Sequence, residues 1–373
     1  MIAKVLVELS NKNIDKTIDY TIPNNLLSKV KVGIRVKVPF ANQTLEGFVL
    51  GISNYSNYQD LKEIIDIVDT DVILNEELLL LGKNMADTTL STLISCYQAM
   101  LPKALKAKNG VDISIKTESY LIIKNEPNSK LNSKQEIIVN KIKECGKLLK
   151  KDANLISTSS VQTLLKNGII EEKKEEIYRL NHENEIVTKY PLTELQQKAV
   201  DQVLAKKNTN TTFLIHGVTG SGKTEVYMEI IEKLLLEDKE SIVLVPEISL
   251  TEQIVSRFKK RFASNIAILH SRLSDGEKYD EWRRIARGEV KIVIGARSAI
   301  FAPLKNIGVI IIDEEHTDSY KQDSCNPKYS AIDIAKWRGQ YHNAPVVLGS
   351  ATPTLETYAR SKKGLYELIE LKE

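Results

Sequence analysis

Residues 217–224 read GVTGSGKT and lie between the apolar run TFLIH and the amphipathic stretch EVYMEII. Strand, G-x-x-x-x-G-K-[ST] loop and helix in that order make a phosphate-binding loop. Gly217, Gly220 and Gly222 permit a tight turn whose N–H groups, that of Ser221 among them, face phosphate oxygens, helped by the positive end of the helix that follows. Lys223 is the residue expected on the β- and γ-phosphates and Thr224 the one expected on Mg²⁺, which makes ATP and Mg²⁺ the expected cofactors.

The loop constrains what surrounds it. Beyond Pro191 the apolar runs TFLIHG, SIVLVP, NIAILH, VKIVIG, GVIIID and APVVLGS alternate with helical segments such as TEVYMEIIEKLL and GEKYDEWRRIARG. Near-continuous apolar strands joined by crossover helices mean a buried parallel sheet. Residues 190–373 are therefore expected to form a three-layer P-loop NTPase lobe of the RecA-like kind. Such a lobe needs an acid at the end of a neighbouring strand. GVIIID delivers Asp313 as the second metal-holding residue, and Glu314 follows as the general base that polarises a water. His316 closes the same DEEH cluster. GSATP at 349–353 ends another strand, so Ser350 and Thr352 are placed to sense phosphate or nucleic acid and, with His316, to couple the two.

The first 70 residues alternate in period two, with Val5, Val7 and Leu9 on one face and then Ile34, Val36 and Val38. Turn signals at Pro23-Asn24-Asn25, Gly33, Pro39 and Gly51 divide them into the short strands of a small β-barrel or curled sheet. From Asn75, an N-cap, the spacing turns helical and ends in the basic stretch Lys103, Lys106 and Lys108, a connector that completes a first domain at 1–110. Residues 111–182 carry a helix from Ser133, a short helix SVQTLLKN stopped by Gly168 and the β-type segment GIIEEKKEEIYRL, the order of a winged helix. The chain thus reads as multidomain α/β: a small all-β domain and a winged helix ahead of the P-loop lobe. Its 373 residues exceed what one core usually holds.

Composition excludes several classes. Lys and Arg total 52 against 49 acids, and the resulting +3 is too weak a field to argue for nucleic acid. Any DNA contact has to come from local patches. No apolar run approaches the ~20 residues of a membrane helix. The N-terminus MIAKVLVELS is interrupted by Lys4 and Glu8, where a signal peptide needs about 7–15 unbroken apolar residues. No membrane partner is expected, and the protein reads as cytoplasmic. Cys96, Cys145 and Cys325 lie too far apart for a disulfide framework or a four-cysteine zinc site.

VPEISLTEQ and GARSAIF each end a strand, on the edge where open α/β sheets place ligands. Ser249, Thr251 and Gln253, then Arg297 and Ser298, offer donors suited to a phosphate backbone, with ordinary polar loops as the alternative. Thr193-Glu194-Leu195-Gln196 has two readings as well. One is a capping box. In the other, Gln196 recognises the adenine edge, as a glutamine upstream of the P-loop does in many helicases that this arrangement resembles.

Taken in order, GVTGSGKTEVY, VPEISLTEQ, HSRLSDGEKYDEW, GARSAIFAPLKN, DEEHTDSYKQD and GSATPTLE resemble the PriA family of primosomal replication-restart helicases, densely over 190–360. The first 70 residues resemble that family's N-terminal domain, which binds the 3′ end of DNA. The resemblance implies an ATP-dependent 3′–5′ DNA helicase of replication restart. It implies forked DNA with a free 3′ end and single-stranded DNA as partners, together with single-stranded-DNA-binding protein and other primosome proteins. Asp19, Tyr20 and Lys62 match the family's terminal-nucleotide pocket, whereas Ile18 replaces an aromatic residue and Ala41 a glycine. The segment SYKQDSCNPKYSAIDIAKWRG is similar to an aromatic-rich loop that links DNA to ATP hydrolysis. There Tyr320 and Tyr329 fit base stacking, and Lys321 and Lys328 fit phosphates; Lys328 and Ile332 stand where the family has arginine.

That family continues into a second motor lobe with arginine fingers and a cysteine-rich zinc module. The chain reads as a fragment that stops at LYELIELKE before both. It is expected to bind ATP weakly, to hydrolyse it poorly and to hold no zinc. A catalytically silent DNA-fork binding module and another translocase of the same superfamily are the competing readings. The segments IDYTIP and VKVPF argue against the latter.

Overall fold

The computed structural model describes residues 1–9, 15–108, 113–127, 130–180, 189–247 and 252–371. They divide into two compact units, Met1–Ile113 with His182–Glu373, and Ser114–Asn181.

In the larger unit the N-terminal alternation becomes a five-stranded antiparallel sheet in the order Ile18–Thr21, Ile2–Val7, Gln43–Ser53, Arg35–Phe40, Asp66–Ile67. Val5, Val7, Val36 and Val38 point into a core with Tyr20, Val49 and Ile64. The sheet curls back on itself. Thr21 on one edge strand donates its N–H to Lys62 O at 2.9 Å and accepts that of Ile64 at 3.0 Å, while Asp66–Ile67 pairs at the opposite edge. Asn75 caps the connector helix Glu76–Thr89 by accepting from Leu78 N at 2.9 Å, and Leu93–Met100 follows.

The P-loop lobe holds seven parallel strands in the order Ile266–Leu269, Ile292–Gly295, Glu240–Leu244, Ile307–Ile312, Val346–Ser350, Thr212–Gly217, Glu367–Leu371. Six coincide with the apolar runs of the sequence. The seventh, ELIEL, adds an edge strand whose two glutamates hid it among surface segments. Side chains alternate between two covered faces: Phe213, Ile215, Val309, Ile311 and Val347 to one, Leu214, Ile310, Ile312, Val346 and Leu348 to the other. The second face shares a single apolar cluster with Leu6, Phe48, Leu78, Leu81 and Tyr97 of the N-terminal region and connector. The β-rich sheet is thereby fused to the P-loop lobe by a common core.

The smaller unit has the helices Ser133–Cys145 and Lys150–Lys166 against a sheet ordered Leu148–Leu149, Thr117–Ile123, Ile170–Glu176. The second helix is broken at Ser157, whose backbone is extended and whose Oγ accepts from Ser160 N at 3.3 Å. The sequence places a β-type segment at 168–180. The structure makes one strand there and pairs it with Thr117–Ile123, a segment upstream of both helices. Among the described residues, no helix is long and apolar enough to cross a membrane.

Candidate functional site

The strand order brings three motifs to one sheet edge, because Val346–Ser350 lies between Thr212–Gly217 and Ile307–Ile312. The P-loop, GSATP and DEEH all leave that edge at the C-terminal ends of adjacent parallel strands, where such sheets bind ligands.

Within the P-loop, Lys223 is only 7% exposed and its Nζ donates to Gly217 O at 2.8 Å and Val218 O at 3.4 Å. A buried cation whose hydrogen-bond partners are uncharged carbonyls keeps its charge for an anion. Gly222 has φ +81°, and a Cβ there would fall 2.1 Å from Gln196 Nε2. That amide donates to Ser221 O at 3.0 Å, while Gln196 Oε1 accepts from Thr193 N at 2.9 Å. Both arms of the capping box form, and Gln196 thus links helix Glu194–Ala205 to the phosphate loop. Ser221 Oγ is buried without a hydrogen-bond partner. A buried free hydroxyl, a shielded ammonium and a glycine-lined turn fit a phosphate group.

Asp313 faces this loop. Its Oδ1 accepts from Tyr227 Oη at 3.0 Å, and its carbonyl accepts from Tyr320 Oη at 2.6 Å. The Tyr227 contact requires Gly349, since a Cβ at that position would lie 1.6 Å from the phenol oxygen. Burial, then the neighbouring Glu314 charge, raises the Asp313 carboxyl above its ordinary pKa, against the Tyr227 hydrogen bond and the Lys223 charge. Thr224, beside Lys223 at the start of helix Lys223–Leu235, is half-buried.

Glu314 adopts φ +49°, so the chain turns sharply after the strand and separates the two glutamates. Glu314 and His316 turn toward GSATP: His316 Nδ1 lies 2.9 Å from Ser350 Oγ and 3.6 Å from Glu314 Oε2. Ser350 Oγ also accepts from Thr352 N at 3.0 Å. Glu315, which sequence reasoning passed over, is 3% exposed. It accepts from Thr354 N at 2.7 Å and Thr357 Oγ1 at 3.1 Å, holding the start of helix Leu355–Lys362. Its signal in the sequence was a third consecutive acid, three places past an apolar strand, indistinguishable there from a solvated one.

The expected DNA donors separate into two groups. Ser249 and Thr251 lie outside the described residues, as does the side chain of Gln253. Arg297 is turned inward: it donates to Lys321 O and to Gln322 Oε1 at 3.3 Å, and stands 5.7 Å from the Tyr329 ring. The expectation that Tyr320 and Tyr329 stack on bases is corrected. Tyr320 is 1% exposed and bonded to Asp313, and Tyr329 packs edge-on against Phe301. Neither ring has an open face. Lys321, Lys328 and Ser298 are exposed. Ser298 and Arg297 line a cleft of about 520 Å³ with Lys103, Lys106, His270 and Lys278, so the connector lysines join the motor motifs, which sequence spacing could not show.

Two family models match the chain: "DEAD/DEAH box helicase" over residues 193–361 and "3′DNA-binding domain (3′BD)", of PriA, over residues 4–102. The Replication restart protein PriA of Bacillus subtilis is 40% identical over 447 residues, covering 99% of this chain and 55% of that protein. PriA of Chlamydia pneumoniae is 34% identical, covering 99% and 51%, and that of Synechocystis is 46% identical over 54% of the chain and 24% of its own length. The chain belongs to the PriA family. It spans about half the length of these first curated relatives.

The matched 3′ DNA-binding region contains a cleft of about 470 Å³ lined by Ile18, Asp19, Tyr20, Phe40, Ala41, Tyr58 and Lys62 among others. The residues that match the PriA pocket come together there. Tyr20 is buried and donates its hydroxyl to Pro39 O at 3.2 Å. Asp19 is also buried, taking Lys4 Nζ at 3.4 Å and Ser56 Oγ at 2.6 Å, whereas Lys62 is exposed. Ala41 has φ +48°, a left-handed backbone that favours the glycine it replaces. Ile332, in place of arginine, packs against the shared core.

Proposed function

We propose that this chain is the DNA-end-recognising and ATP-using part of a 3′–5′ restart helicase that acts on forked DNA in the cytoplasm. One observation carries the reading: Tyr227 joins the P-loop helix to Asp313 while His316 and Ser350 join DEEH to GSATP. A single sheet edge thus holds a cation, a carboxylate pair and a link toward the nucleic-acid side.

Bound ATP and Mg²⁺ supply the phosphoanhydride and a divalent charge. Lys223 would neutralise phosphate charge, and Thr224 and Asp313 would hold the metal. Glu314 orients a water and takes its proton. Gln196 keeps the loop in register through Ser221 and is proposed to meet the adenine edge from the same position. The exposed Lys321, Lys328 and Ser298, with Arg297 behind them, meet a DNA backbone.

The cleft with Tyr20, Asp19 and Lys62 takes a 3′ terminal nucleotide. Residues 111–182 act as a winged helix, supported by two helices, one of them broken, and a three-stranded sheet. Single-stranded-DNA-binding protein and other primosome proteins are the proposed partners.

The test is ATP hydrolysis with and without a forked DNA bearing a free 3′-OH, in the wild type and in Lys223→Ala. The expected result is stimulation by the fork that the variant loses. Hydrolysis indifferent to both fork and substitution would sink the reading.

A further inference from the structure

The DNA-end cleft contains one aromatic ring open to solvent. Of its lining residues, Tyr20 is 2% exposed with its hydroxyl on Pro39 O, and Phe40 is half-buried against the barrel core. Tyr58 is 70% exposed. A ring this exposed on a mobile loop would be unremarkable, but the backbone beneath it is tied to the cleft floor. Asp19 Oδ2 accepts from Ser56 Oγ at 2.6 Å, and Ser56 Oγ in turn accepts from Tyr58 N at 3.1 Å. Tyr55 closes the same turn, its carbonyl taking Ser53 Oγ at 2.8 Å and its hydroxyl reaching Asn57 Oδ1 at 2.8 Å. The buried carboxylate of Asp19 therefore sets where Tyr58 stands.

We infer that Tyr58 is the stacking face for the terminal nucleobase, and that Asp19 and Ser56 are its positioning residues. This rests on the proposal that the cleft takes a 3′ terminal nucleotide. The chemistry fits. Every base presents a π-face to an aromatic ring whatever its sequence, as an enzyme acting on forks of any sequence requires. The exposed ammoniums of Lys16 and Lys62 flank the same cleft for the adjoining phosphate. Ile18 lines the cleft with an aliphatic side chain that packs toward the core of the N-terminal sheet, and Tyr58 supplies from the loop the ring that this strand position lacks.

The experiment measures binding of the full chain to single-stranded oligonucleotides with three ends: a 3′-OH on a normal nucleotide, a 3′-phosphate, and a 3′-OH on an abasic residue. Wild type, Tyr58→Ala, Tyr58→Phe and Ser56→Ala are compared. The expected result is that wild type loses on the order of tenfold in affinity on the abasic end, Tyr58→Ala shows that loss already on the normal end and no further loss on the abasic one, and Tyr58→Phe behaves as wild type. Ser56→Ala falls between. If wild type distinguishes 3′-OH from 3′-phosphate but Tyr58→Ala responds to the abasic end as wild type does, stacking on Tyr58 is overturned and the end pocket stands. If wild type binds the 3′-OH and the 3′-phosphate equally, the end pocket itself fails and the role of Tyr58 with it.

Discussion

Arg338 and Glu77 form a bidentate ion pair in the core, Nε to Oε1 at 2.6 Å and Nη2 to Oε2 at 2.8 Å, with Arg338 0% exposed. The remaining guanidinium nitrogen, Nη1, donates to Ile300 O at 2.6 Å and Ala302 O at 3.0 Å. One side chain thus pins the connector helix, helix Ala331–His342 and the segment just after Arg297 and Ser298. Removing one partner strands a buried charge, which costs about 3–5 kcal/mol, whereas replacing both with apolar residues is often near neutral. Arg338→Met is expected to lose that much in urea unfolding and Arg338→Met/Glu77→Met to recover most of it. A double variant as unstable as the single would contradict the account.

The same pair makes stability depend on acid pH. Burial alone would raise the Glu77 carboxyl, but the Arg338 charge and hydrogen bonds from His342 and Arg338 outweigh it and bring it down to about 2, from an ordinary 4.5. A folded-state pKa below the unfolded one stabilises above the unfolded value and loses that contribution as pH falls through the folded one. The contribution, about 3 kcal/mol, is therefore complete above pH 4.5 and disappears toward pH 2. Unfolding free energies of wild type and Glu77→Gln should converge across that window. Parallel curves would mean that Glu77 is not the titrating group.

Glu314 and Glu315 are adjacent in sequence and opposite in role. Glu314 is half-buried beside His316, and Glu315 is buried and holds the start of helix Leu355–Lys362. Glu314→Gln is expected to lower ATP hydrolysis by about 10²–10⁴ with an unchanged melting temperature. Glu315→Ala should destabilise by about 1–3 kcal/mol, since it orphans buried donors. Paired turnover and calorimetric measurements decide this, and equal melting losses in both variants would refute the division.

The parallel sheet and its nucleotide loop were legible because their signals are local: apolar runs of strand length, and a glycine pattern between strand and helix. What the sequence left open is how donors are used after folding. Arg297, Tyr320 and Tyr329 have the chemistry of nucleic-acid ligands, yet the fold commits each to the protein: the segment after DEEH seats Tyr320 on Asp313 and Tyr329 on Phe301, and Arg297, from the segment that follows strand Ile292–Gly295, donates to the Lys321 carbonyl. Tyr58 is the converse, an aromatic in a polar loop whose value comes from Asp19, 39 places away in the chain but two hydrogen bonds away in space. Strand Thr117–Ile123 escaped for the same reason, its partner Ile170–Glu176 lying beyond two helices.

Tyr227 tests whether Asp313, the carboxylate proposed to hold the metal, is preset by the protein. Its hydroxyl donates to Asp313 Oδ1 at 3.0 Å, through space that only a glycine at 349 leaves open. Burial, then the neighbouring Asp313 charge, holds the phenol well above its usual pKa, so at neutral pH it is a donor. A hydrogen bond to one carboxylate oxygen fixes the orientation of the other, and the loss of such a supporting partner commonly costs about 10- to 100-fold in metal affinity. Tyr227→Phe keeps the ring in the core and removes only this bond. The expected outcome is a rise of about tenfold in the Mg²⁺ concentration that half-saturates ATP hydrolysis, with little change at saturating Mg²⁺. A variant with unaltered Mg²⁺ dependence but lower maximal turnover would show that Tyr227 acts on the reacting groups and not on the metal ligand.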